Sequence, residues 1–154
     1  MNQVLLTQSE AALRALGVAC QSASRYYETA ANVTHNDWRE FAASRSVAYR
    51  DMSRRIAEQL KRDEVLPGSP DEDMEWLKEI ALRAQAAISG DEAGTLLKGF
   101  SRTEQKVWDA LGEFGFAGMP AAAAGLVKEL AAFTTEGFLW LGREKAALLK
   151  DNGN

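Results

Sequence analysis

The sequence predicts an all-α protein: an up-down bundle of four long helices, with a short extra helix in a crossover connection between the second and third of them. Three observations carry that prediction. Apolar residues recur at spacings of three and four along most of the chain, which is the period of a helix with one buried face. Only 3 of the 154 residues are proline, while the good helix formers Ala, Leu, Glu, Arg and Lys are abundant. No run of alternating apolar and polar residues marks a strand, and no internal repeat stands out.

The first helix is predicted over 8–33. "TQSE" at 7–10 has the form of a capping box, with Thr7 accepting from first-turn amides and Glu10 reaching back. Leu13, Leu16, Cys20, Ala23, Tyr27 and Ala30 then form a seam. "NVTHND" is rich in turn and cap residues, so the chain reverses there over a short loop and the next helix, 37–63, is an antiparallel neighbour. Its row reads Trp38, Phe41, Arg45, Ala48, Met52, Ile56 and Leu60, with one charge inside it.

Pro67, Gly68 and Pro70 break the helical pattern most clearly. Ser69, Pro70 and Glu72 read as a cap, a first helical position and a capping-box acid, opening a shorter helix over 70–89. The next helix, 92–115, places Leu97, Phe100, Glu104, Val107, Leu111 and Phe114 on one face, so an acid sits at the centre of a core row. "GFAGMP" marks the last turn, and the final helix, 120–150, carries Val127, Leu130, Thr134, Gly137, Leu141, Glu144 and Leu148. Four helices of this length span roughly 35 Å or more each at 1.5 Å per residue. No break in composition divides the chain, which reads as a single domain over 1–154.

The formal net charge of −4 gives no global attraction to nucleic acid or to an anionic membrane. Basic residues crowd 39–62 and acidic ones 63–79, which reads as a solvated helix face beside an acidic loop. The single cysteine, Cys20, lies on an apolar row and reads as a small core residue. The opening residues lack a basic start and a long apolar core, and no apolar run approaches twenty residues, so a cytoplasmic setting without signal peptide or membrane span is expected.

Glu104 is the residue on which function turns. A di-metal bundle takes a Glu from each of two helices and a Glu-x-x-His pair from each of the other two. This chain has one histidine, His35, in a predicted loop and without a glutamate three residues before it. The usual di-iron site cannot be assembled from it. An all-carboxylate site holding iron or manganese is the alternative, with Glu104, Glu144 and Glu28 as ligands. The preferred reading pairs Glu104 with Arg45, because each is the charged member of an apolar row near mid-helix and a buried charge is tolerable only when paired. A planar guanidinium suits a carboxylate for that purpose. Neither a P-loop nor a dinucleotide fingerprint nor a Cys-x-x-Cys pair is present, and one loop histidine makes a nucleophilic triad improbable.

The runs "GVACQSASRYYETAANV", "WREFAASRSVAYRDMSRRIAEQL", "LLKGFSRTEQKVWDALGEF" and "MPAAAAGLVKEL" together resemble a group of uncharacterised bacterial ferritin-like four-helix-bundle proteins, over residues 10–150. That resemblance implies the crossover bundle and makes Tyr27, Arg45 and Glu104 recurrent positions. The chain departs from ferritin-like proteins at Ala23 and Ser24, where an acid is expected, and at Arg143, near an expected histidine. The expectation is therefore a ferritin-like bundle without a competent di-iron site and without a cofactor, serving a non-enzymatic interaction or structural role. A carboxylate-based metal oxidase or iron-handling protein is the alternative. The last helix is apolar on more than one side, which predicts a homo-oligomer formed through Phe133, Phe138 and Trp140.

Overall fold

A computed structural model describes residues 7–64, 93–112 and 121–152. The described residues form four helices: α1 over Gln8–Ala31, α2 over Asn36–Arg62, α3 over Ala93–Gly112 and α4 over Ala121–Asn152. The described residues contain no strand. The short helix expected over 70–89 and the seam residue Phe114 lie outside the described residues.

Local chemistry sets the ends of these helices. The Thr7 hydroxyl accepts from the Glu10 amide, and the Thr7 amide donates to the Glu10 carboxylate, both at 3.1 Å. This reciprocal pair satisfies two of the amides that a helix start leaves without partners. Between α1 and α2 the chain turns within four residues, with Thr34 donating back to the Ala30 carbonyl at 2.9 Å. Asn36 takes φ 58°, the left-handed region that asparagine tolerates better than most residues, and this tightens the reversal. At the far end of α2, Glu64 also takes a positive φ, as the residue after a helix end often does.

The side-chain contacts give the direction of each helix. Ser24 meets Ser46, and Gly17 meets Ser53, so α1 and α2 are antiparallel. Trp38 meets Glu144, Phe41 meets Trp140, Arg45 meets Phe133 and Arg55 meets Glu129, so α2 and α4 are antiparallel as well. Phe100 contacts Trp38 and Phe41 while Glu104 contacts Arg45 and Tyr49, so α2 and α3 run the same way. The end of α2 and the start of α3 therefore lie at opposite ends of the bundle.

The core is one continuous cluster to which all four helices contribute. The row Leu13, Leu16, Cys20, Ala23, Tyr27 and Ala30 of α1 is buried along its whole length. In α3 the buried row runs through Leu97, Phe100, Glu104, Val107 and Leu111. The α2 row differs from the expected one. Tyr49 is buried where Ala48 was expected, and Ala42 and Ser46 join it. The reason is that α2 lies between α1 and α4, so its buried face is wider than a single stripe. Close approach of α1 to α2 is helped by Ser24 and Ser46, each of whose hydroxyls donates to the other's carbonyl at 2.9 Å. None of the described helices is long and apolar enough to cross a membrane.

A buried carboxylate network at the centre of the bundle

Glu104 is fully buried, and three side chains from two other helices converge on it. Arg45 of α2 brings its Nε to 2.5 Å from Glu104 Oε1. That N–H is not aligned for a hydrogen bond, so the contact is an ion pair held by proximity. The Tyr27 hydroxyl of α1 lies 3.1 Å from Oε1 and 3.3 Å from the Phe100 carbonyl, and it can donate to either acceptor. The Tyr49 hydroxyl of α2 donates a short hydrogen bond to Oε2. Both carboxylate oxygens are thus engaged by the protein's own groups.

The arginine is held with equal care. Its Nη2 donates to the Phe133 carbonyl at 3.0 Å and to the Tyr49 hydroxyl at 3.3 Å. The guanidinium carbon lies 3.6 Å from the centroid of the Phe133 ring, with the Tyr49 and Phe41 rings 5.3 and 5.4 Å away. Aromatic faces carry negative charge density, so this surrounding stabilises the cation where water does not reach. Beneath it Tyr27 and Tyr49 stack with their ring planes 7° apart, and Phe100 and Phe41 close the cluster. The backbone of α4 comes close because Gly137 has no side chain at this level.

The electrostatics follow from burial. Loss of water pushes the Glu104 carboxyl above its ordinary range, and Arg45 and the two tyrosine hydroxyls pull in the opposite direction. Burial, and then the nearby Glu104 charge, raise Tyr27 and Tyr49 well above the usual tyrosine value. Both hydroxyls therefore stay protonated and keep donating through the neutral range. Burial, followed by the same carboxylate, raises the Cys20 thiol, which makes it a packing group rather than a nucleophile.

The structure brings Arg45 and Glu104 together but does not bring Glu28 or Glu144 to them. Glu28 lies one position past Tyr27, on the exposed side of α1, where it pairs with Arg50 of α2 at 3.1 Å. Glu144 is half-buried and accepts from the Trp38 indole at 3.2 Å, which ties α4 to α2. Among the described residues, no three His, Cys, Asp or Glu side chains gather as a metal would require. Among the described residues the donor set at the centre is a single carboxylate whose oxygens already have partners, and such a set does not fit iron or manganese.

Phe133 and Trp140, expected at a subunit contact, pack within the chain, on Arg45 and Tyr49 and on Phe41 respectively. Phe138 is half-buried against Trp108. Tyr49 and Gly137 join the site without having been assigned to it from the sequence. Tyr49 had a signal, since it stands four residues after Arg45 and so shares its face. Compared with protein-family models, with curated proteins and with solved structures, the chain matches none.

Proposed function

We propose that this chain is a ferritin-like crossover bundle whose central polar site is a structural lock rather than a metal centre, and that the protein serves a non-enzymatic structural or interaction role. One observation carries the reading: Glu104, the only buried carboxylate among the described residues, has both oxygens engaged by Arg45, Tyr27 and Tyr49. A metal site needs several ligands together, and among the described residues no group of carboxylate, His or Cys side chains joins Glu104. The parallel course of α2 and α3 supports the crossover topology, because ferritin-like bundles have one long connection of that kind.

Charge at the centre of a core gives register. A buried pair adds little to stability against an apolar replacement, but slippage of α2 past α3 would strand both charges. Tyr27 extends the same constraint to α1, and the bond from Arg45 to the Phe133 carbonyl extends it to α4.

Self-association belongs to this reading and rests on other residues than Phe133 and Trp140. Leu139 and Leu149 are 65% and 73% exposed on α4, and Trp108 on α3 is 43% exposed. Elemental analysis after incubation with iron(II) and with manganese(II) tests the central claim, with light scattering on the same samples. The expected result is metal at background and a species larger than one chain. Stoichiometric metal lost on Glu104→Gln would restore the carboxylate-metal reading, and a monomer across micromolar concentrations would remove the self-association.

A further inference from the structure

The outer side of the α1–α2 pair holds a groove of about 420 Å³, lined by none of the residues of the buried network. Its floor is closed by direct helix contact: a Cβ added to Gly17 would lie 3.0 Å from Ile56 Cγ2, and Ser53 donates to the Gly17 carbonyl at 3.4 Å. Arg14 and Arg25 of α1 and Arg50 and Arg54 of α2 line it, with Glu28 as its one acid. Four cationic side chains on one groove stand out in a chain whose net charge is −4.

We propose that this groove binds a small organic oxyanion, a phosphate or carboxylate head on an apolar body. Guanidinium groups meet either head bidentately, and the volume suits a ligand of that size. Arg14 and Arg25 are eleven residues apart, which separates them by roughly 16 Å along α1. The site is therefore elongated, and the half-buried Gly17 and Ala57 offer apolar atoms between its basic ends.

Arg14, Arg50 and Arg54 are exposed, and Arg25 is half-buried. Arg54 is steadied by Asp51 at 2.8 Å and Glu58 at 2.6 Å, neither of which lines the groove. Arg50 is paired with Glu28 at 3.1 Å, and exposed pairs of this kind contribute little, so an incoming anion can displace that carboxylate. Arg14 is exposed and has no ion-pair partner among the described residues.

Calorimetric titration of the full chain with octyl phosphate, with octanoate and with inorganic phosphate tests this. Saturable binding of an octyl probe at one per chain is expected, tighter than inorganic phosphate. Arg14→Ala should weaken it at least tenfold, and Glu28→Gln should tighten it by releasing Arg50. The octyl arm that binds more tightly identifies the head group. Neither octyl probe saturating, or unchanged affinity in Arg14→Ala, would overturn the proposal. Inorganic phosphate binding as tightly as octyl phosphate would overturn its apolar half. Amide shifts in nuclear magnetic resonance must centre on Gly17 and Ala57; shifts elsewhere alone would refute the location.

Discussion

Gly137 of α4 faces Glu104 of α3 so closely that a Cβ at position 137 would sit 2.6 Å from Oε1, and equally close to Arg45 Nη2. Neither neighbour is the loose end of a surface side chain. Each is buried and fixed by partners on other helices. The missing side chain is what lets α4 close over the ion pair.

Gly137→Ala is therefore expected to destabilise the protein by about 1–3 kcal/mol, the usual cost of overpacking a filled core. Helix propensity works the other way, since alanine is favoured over glycine by about 0.8–1.0 kcal/mol inside a helix. Gly142→Ala supplies the control, because nothing lies within 4 Å of a Cβ there, and it should stabilise instead. Urea unfolding of the two variants must give opposite signs; the same sign in both would mean that the space at Gly137 is not limiting.

Much of the bundle was legible from the period of its apolar residues. The α1 row and the α3 row from Leu97 to Leu111 are buried as the spacing predicts. In α2 a single stripe places Ala48 in the core instead of Tyr49, because one period does not reveal that a helix has two packing partners. The meeting of Arg45 with Glu104 was inferred from two misfit charges, but its geometry depends on the register between α2 and α3, which no local pattern records. The Phe133 carbonyl was invisible for a different reason: every residue has one, and only the fold selects which accepts from an arginine. Phe133 and Trp140 looked like interface residues because α4 is apolar on several sides, and the structure spends both on the cage around Arg45 and on Phe41.

Alkaline titration should report the buried hydroxyls. Two of the three tyrosines, Tyr27 and Tyr49, have values raised by burial and by the adjacent carboxylate. In the unfolded chain they ionise near the ordinary value of about 10. Above that pH the unfolded state holds fewer protons than the folded one, so stability falls as pH rises. Absorbance of the folded protein should show both residues resisting ionisation until the chain unfolds. Early titration of all three tyrosines in a folded sample would contradict the closed network.

The most direct measurement is a double-mutant cycle on Arg45→Met and Glu104→Gln, read as unfolding free energies without added metal. Each single change removes one partner of a buried pair, and a loss of about 3–5 kcal/mol is expected when a charge is left behind. The double variant strands no charge and should recover part of that loss, giving a coupling of at least about 2 kcal/mol, within the range found for residues in one network. Additivity within about 0.5 kcal/mol would show that the two residues act independently, and would contradict the claim that their pairing locks the centre of the bundle.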